Sequence, residues 1–337
     1  MRTLDSLILD TAGLTPTGAQ PAADTILISN DPTGALTRVA TATNVRVVIL
    51  DADYARCQAA RHMGADVAGE TRLDEYLAGA SGNAIIVGEM PKSLARLDYL
   101  ARAIAGAGFS KVDLVLGANN KHLSRSMNQT LAQSFTTVTG SRGRGKFRCL
   151  VASGPRSVTY RPRRANGFVA IGGVFSGVKA DRGALLLRSS LPAEPGRLLD
   201  LGCGNGAVSR GLHSLSGVYA TDSDVDAVLS ARAIGLNATW DDAGSRYPTH
   251  MFETIALNPP FHDGNTIDAT LVQHLLDAAV RLLTPGGSLY MVHNSHLRYR
   301  GEVERRFTNV KQVERDAMFT VLRARSAPAV SEANAVG

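Results

Sequence analysis

Short apolar runs recur along the chain, separated by longer stretches in which apolar positions fall three and four apart. Residues 24–30, 46–51, 84–87 and 111–116 read as Ile-, Val- and Leu-rich strands; the segments starting near Pro32 and spanning 54–63 and 92–106 read as helices between them. The pattern then restarts. Strands are predicted at 198–201, 218–222, 238–240 and 252–257, and a fifth that ends before His293, Asn294 and His296, with helices over 185–191, from about Ala207, over 225–235 and over 271–283, the last stopped by Thr284-Pro-Gly-Gly287. Such alternation predicts parallel sheets with crossover helices, so the fold class is α/β in two domains, residues 1–155 and 156–326. Residues 1–23, rich in Pro, Gly, Thr and Ala, are expected to hold little regular structure, and 327–337 to be a disordered tail.

The apolar run at 198–201 turns into Gly202-Cys203-Gly204-Asn205-Gly206. Glycines there permit positive φ and close approach to a ligand, and a helix starting behind them offers unpaired N–H groups. The dinucleotide fingerprint needs its third glycine at the position held by Ala207, and Asp200 would repel a bare pyrophosphate. An acid there suits a nucleotide with a cationic amino-acid end; a plain strand-to-helix turn is the alternative. Asp222 ends the next strand about twenty residues beyond the loop, where an acid can take both ribose hydroxyls, with Asp224 in reserve. Asp241 and Asp242 end the third strand, and an acid there can accept from an adenine amino group or cap a helix.

The fourth strand ends in Asn258-Pro259-Pro260-Phe261. The prolines fix the backbone so that the Asn258 amide and the Pro259 carbonyl can accept hydrogen bonds from an exocyclic –NH₂, while Phe261 stacks on the ring that carries it. This is catalysis by positioning, with the amine aligned on an activated methyl group. His262, Asp263 and His296 fit loop shaping or phosphate contact better than general-base work. The first half mirrors these landmarks: Asp31-Pro-Thr-Gly34 stands for the glycine loop, Leu50–Asp53 for Tyr219–Asp222 and Gly88–Pro91 for Leu257–Pro260. Pro32 and the missing glycines leave that copy unfit for the same ligand.

Charge adds a partner. The net charge is +6, yet residues 114–180 contain no Asp or Glu and carry Lys121, Arg125, Arg142, Arg144, Lys146, Arg148, Arg156, Arg161, Arg163, Arg164 and Lys179. The densest part, 140–165, falls where one domain is expected to hand over to the next. Such a span suits a nucleic-acid backbone or a solvated linker; Phe147, Tyr160 and Phe168 within it can stack on bases or pack in a core. Three scattered cysteines show no metal spacing, and no leader or membrane-length apolar stretch is evident, so a cytoplasmic monomer without metal is expected.

The glycine loop followed by Asn-Pro-Pro-Phe resembles the class I amino-methyltransferases. With 290–297, 317–324, Met90–Leu97 and Leu116–Asn119, the chain resembles the bacterial rRNA guanine-N2 methyltransferases built of two methyltransferase-like halves, closest to the large-subunit member G. The resemblance covers most of residues 24–325. It implies two tandem class I methyltransferase (Rossmann-like) domains, the first degenerate and serving as scaffold or RNA contact. It further implies S-adenosyl-L-methionine bound by Asp200, Gly202, Cys203, Gly204, Asn205, Gly206, Asp222, Asp242 and Asn258. Catalysis falls to Asn258, Pro259, Pro260 and Phe261, and rRNA contact to Lys121, Arg125, Arg142, Arg144, Lys146, Arg148, Arg161, Arg163 and Arg164. A glutamine-amide methyltransferase and a non-catalytic RNA-binding assembly factor are the alternatives; the acid-free basic span opposes the first and the paired motifs the second.

Overall fold

The computed structural model describes residues 1–14, 21–212, 217–260, 269–297 and 299–328. They form two compact units, Met1–Arg163 with Ala170–Val174, and Arg164–Val169 with Phe175–Gly337.

In the first unit the strands are β1 (Thr25–Ser29), β2 (Arg46–Ile49), β3 (Asp66–Val67), β4 (Asn83–Glu89), β5 (Lys111–Asn119), β6 (Phe135–Gly140) and β7 (Phe147–Pro155). They make one sheet in the order β3-β2-β1-β4-β5-β7-β6, parallel as far as β5, with β7 antiparallel to both its neighbours. Helices α1 (Thr3–Ala12), α2 (Ala35–Thr41), α3 (Tyr54–His62), α4 (Leu73–Tyr76), α5 (Leu94–Ala105) and α6 (Arg125–Ala132) accompany it. A two-stranded ribbon, β8 (Arg163–Ala165) with β9 (Phe168–Ala170), follows.

The second unit has β10 (Leu198–Leu201), β11 (Val218–Asp222), β12 (Ala238–Trp240), β13 (Phe252–Leu257), β14 (Leu283–Asn294), β15 (Thr308–Arg315) and β16 (Phe319–Arg325), with α7 (Arg182–Ser190), α8 (Val225–Arg232), α9 (Ala269–Leu282) and α10 (Arg300–Glu304). Its sheet runs β12-β11-β10-β13-β14-β16-β15, the same order as the first unit strand for strand. Both faces are covered. Leu199 and Leu201 pack with Val272, Leu276, Ala279 and Leu282 of α9, while Leu198 packs with Ala184 and Leu187 of α7. A strand buried on both faces needs no polar alternation, which is why β10 is leucine at every position but Asp200 and all four of its residues are buried.

Four sequence expectations change. Residues 3–12 form a helix, because Leu4, Leu7 and Ile8 recur at helical spacing, the Asp5 carboxylate accepts from Arg2 N and from the Arg2 guanidinium at its start, and Gly13 ends it at φ 69°. Gly117 of β5 lets α1 lie flat on the sheet, since a Cβ there would sit 2.5 Å from Ile8 Cγ1. Residues 203–212, in contrast, form turns rather than a regular helix; Gly206 and Gly211, at φ 80° and 82°, interrupt the hydrogen-bond ladder on either side of Ala207. Residues 284–287 are no turn after α9: β14 starts directly at Leu283, with a register shift opposite Phe252–Thr254. The cluster 142–148, finally, closes the β6–β7 hairpin inside the first unit instead of linking domains, with Ser141 N donating to Cys149 O and Arg144 N to Phe147 O. The expected tail from residue 329 onward lies outside the described residues.

Strand register sharpens the internal mirror. Aligned on the helix N-caps Asp53 and Asp224, the strand pairings Ile28–Ile49–Val87 and Asp200–Ala220–Ala256 correspond, which sets Ile28 at the place of Asp200 and Glu89 at that of Asn258. The counterpart of Asp222 is therefore Asp51, two residues earlier than the sequence comparison suggests. Local bonding agrees: Asp53 N donates to Asp51 Oδ1 at 3.0 Å and Asp224 N to Asp222 Oδ1 at 2.9 Å, and Asp53 and Asp224 each cap the helix that follows.

Candidate active site

At the carboxyl end of β10, β11 and β13 the second unit opens a cavity of about 380 Å³. Its wall brings together Gly202, Cys203, Gly204, Asn205, Asp222, Asp242, Asn258, Pro259 and Pro260, residues that the sequence spreads over 59 positions. In doubly wound sheets this is where ligands bind. Gly202 and Gly204 adopt φ 79° and 53°, and a Cβ on either would meet no atom within 4 Å, so both present bare backbone to open space. Gly206 serves packing instead: its Cβ would lie 2.5 Å from Leu236 Cδ1. Asn205 ties the loop down by donating to the carbonyls of Gly177 and Lys179 at 2.9 and 2.8 Å.

The acids divide by environment. Asp222 accepts from Gly204 N through Oδ2 at 2.9 Å and from Asp224 N through Oδ1, and burial raises its pKa. A carboxylate has about four lone-pair positions, so capacity remains on the cavity side. Asp241 is buried and bonded to Thr221 Oγ1, Gly244 N and Arg246 N, whereas Asp242 lines the cavity and accepts from His274 Nε2 at 2.8 Å. Of the two, Asp242 is the acid available to a ligand.

Asp200 departs from the expectation that it meets the ligand's cationic end. Its side chain is 0% exposed beneath the loop and absent from the cavity wall; Oδ2 accepts from Ser209 Oγ at 2.7 Å and Oδ1 has no partner among the described residues. Burial, with the charge of Asp222 adding to it, pushes its pKa up to about 7. The alternation of β10 aims it at the α7 face rather than at the strand end.

Asn258 sits at the lip of the same cavity. Its Nδ2 donates to Asp181 Oδ2 at 3.2 Å, and its Oδ1 is buried with no hydrogen-bond partner among the described residues. Asp181 is also the N-cap of α7, accepting from Ala184 N at 2.9 Å. Phe261, His262 and Asp263 lie outside the described residues. His293 is buried, with Nδ1 against Asn294 O and its pKa lowered by burial, which keeps the ring neutral. Asp181 and Phe175, the latter 62% exposed on the cavity wall, were not singled out from the sequence. The signal is present only as an aromatic and an acid in a Gly-rich segment ahead of a helix, which reads as loop and cap.

Lys121, Arg125, Arg142, Arg144, Lys146, Arg148, Arg161, Arg163 and Arg164 are all exposed. Arg142 to Arg148 belong to the β6–β7 hairpin; Lys121 is beside it, since Asn120 N donates to Lys146 O. Arg144 pairs with Asp10 at 2.9 Å. Tyr160 and Phe168 are core residues, and Phe147 is half-buried under Lys146. Among the described residues no helix is long and apolar enough to cross a membrane, and no cluster of His, Cys, Asp or Glu could hold a metal ion.

Comparison with known proteins agrees with this architecture. The RLMG N-terminal domain model matches residues 4–156 and the Methyltransferase small domain model residues 165–323. A ribosomal RNA large subunit methyltransferase G of Pseudomonas entomophila is 30% identical over 260 residues, covering 70% of this chain and 69% of the relative. That of Shewanella amazonensis is 29% identical over 335 residues, covering 88% and 85%. Among solved structures, the T. thermophilus 16S rRNA N2 methyltransferase RsmC, in complex with AdoMet and guanosine, shares the fold with a TM-score of 0.74 at 22% identity, over 94% of this chain and 92% of that one. Two units with one strand order, and a glycine loop facing Asn-Pro-Pro across a single cavity, thus coincide with these matches: the chain belongs to the ribosomal RNA large subunit methyltransferase G family and is an S-adenosylmethionine-dependent class I methyltransferase.

Proposed function

We propose that the enzyme methylates the exocyclic N2 amine of a guanine in ribosomal RNA, acting as a cytoplasmic monomer. The observation that carries this reading is the single cavity that joins the open glycine backbone to Asn258-Pro259-Pro260. Gly202, Gly204 and Asn205 would cradle the amino-acid part of S-adenosylmethionine, with Cys203 in the same loop, Gly206 holding its far side and Asp200 supporting it from below. Asp222 would take the ribose hydroxyls and Asp242 the adenine amine. Asn258 Oδ1 and the Pro259 carbonyl accept from the target –NH₂, Pro260 fixes the turn, and Phe261 stacks on the base.

S-adenosylmethionine supplies the activated methyl group. Oriented in this way, the amine nitrogen forms the new N–C bond as the C–S bond breaks, and the surplus proton leaves through the carbonyl acceptors to water. The first unit is proposed as a degenerate scaffold whose β6–β7 hairpin, with Lys121 and Arg125, contacts rRNA phosphates; Arg161 and Arg163 of the same unit, and Arg164 of the second, are assigned phosphate contacts as well. Guanine is named because the relatives are rRNA methyltransferases and the RsmC structure holds guanosine. The test is incubation with methyl-labelled S-adenosylmethionine and either rRNA or total protein, followed by ribonuclease. Label should enter RNA and be released by the nuclease; label retained on protein would overturn the reading in favour of glutamine methylation.

A further inference from the structure

Asn258 has two chemically opposite ends, and only its oxygen can receive an amine. The Nδ2 end is held 3.2 Å from Asp181 Oδ2, an oxygen that also caps α7 by accepting from Ala184 N. A carboxylate has no proton to give, so the reverse orientation would set lone pairs of Oδ1 against those of Asp181. The consequence is visible on the other side of the amide: Oδ1 is buried, without a partner among the described residues, and Asn258 and Asp181 both line the cavity. A buried carbonyl oxygen left without a donor is costly unless a ligand satisfies it.

We propose that Asp181 is a positioning residue for methyl transfer: by holding Asn258 Nδ2 it presents Oδ1 as an acceptor and makes the site select a substrate edge that donates N–H. This rests on the function proposed above and adds the residue that sets its substrate polarity. The first unit keeps a tie at the same place. There Arg2, which caps α1, donates to Glu89 Oε1 at 2.5 Å, and Glu89 is the counterpart of Asn258. A brace between this helix start and this strand end is therefore common to both units, while an oriented amide with an open oxygen belongs to the second.

Substitutions can separate brace from orientation. Serine caps a helix as well as aspartate does but is too short to reach Asn258, so Asp181→Ser should leave α7 and the melting temperature intact. Its kcat for rRNA methylation should fall roughly 10- to 100-fold, the scale of a misplaced reacting group, with the KM for S-adenosylmethionine within about twofold of wild type. Asp181→Asn, which keeps both the cap and a carbonyl facing Nδ2, should recover most of that loss. In an Asn258→Ala background Asp181→Ser should change kcat less than about twofold, because the side chain it acts through is gone. An Asp181→Ser enzyme with wild-type kcat, a loss that follows the melting temperature, or an equal loss in the Asn258→Ala background would overturn the proposal. A wild-type enzyme that moves no methyl group to RNA overturns the function reading and this proposal together, whereas wild-type transfer with an active Asp181→Ser overturns only the proposal.

Discussion

The two units share one strand order and differ in what satisfies the acid after the second strand. In the second unit Asp222 is met by backbone N–H groups of Gly204 and Asp224, which leave room for a ligand. In the first, the Arg56 guanidinium donates to both carboxylate oxygens of Asp51, at 2.9 and 2.7 Å, and Asp31-Pro-Thr-Gly34 stands where the second unit has its glycine loop. At the strand before it, the first unit buries Ile28 where the second buries Asp200. One framework is thus either closed by its own side chains or held open at a cost in buried polar groups, and the difference lies in a handful of positions.

The largest effect should come from Asp200. A raised pKa means that the folded state favours the protonated form. The wild-type protein should therefore lose stability as pH rises from about 4, the unfolded value, to about 7, the folded one, by up to ~4 kcal/mol from this group. Asp200→Asn should flatten that slope in chemical denaturation. Because Ile28 does not titrate, the slope should follow probes in the second unit; an unchanged slope in Asp200→Asn would remove the contrast.

The ligand side of the comparison is next. Asp222→Ala should weaken S-adenosylmethionine roughly 10- to 100-fold in calorimetry, the loss expected for a charged acceptor of ligand hydroxyls, and Asp51→Ala should leave affinity unchanged while lowering the melting temperature by stranding Arg56. Wild type should bind one cofactor per chain. Two equivalents would show that the first unit has not closed.

Smaller effects should map the basic hairpin. Replacing Arg142, Lys146 and Arg148 together by alanine should reduce the slope of log affinity for rRNA against log salt by about 2–3, since each phosphate contact contributes just under one. Arg144→Ala should alter that slope least, because its guanidinium is already engaged by Asp10.

The sequence made much of this legible. Strands buried on both faces appear as bare apolar runs, and the glycine loop and Asn-Pro-Pro declare themselves by backbone chemistry that few other residues can perform. What it concealed depends on tertiary partners. Helix α1 looked like a coil because Gly13 and the polar residues after it mask four buried apolar positions, and its role depends on a missing Cβ at Gly117, more than a hundred residues away. Asp200 reads as a ligand contact until the facing of β10 places it inward, and the link from Asp181 to Asn258 spans 77 residues with no periodicity to announce it. The register of the internal repeat also slipped by two between Asp51 and Asp53, since both are acids at a strand end and only the backbone N–H that Asp51 accepts and the helix that Asp53 caps, as Asp222 and Asp224 do, distinguish them.

The central claim is tested most directly by mass spectrometry of rRNA nucleosides from cells with and without this gene. One N2-methylguanosine should disappear without the gene, returning with the wild-type chain and not with Asn258→Ala. An unchanged N2-methylguanosine content, or full restoration by Asn258→Ala, would contradict the account.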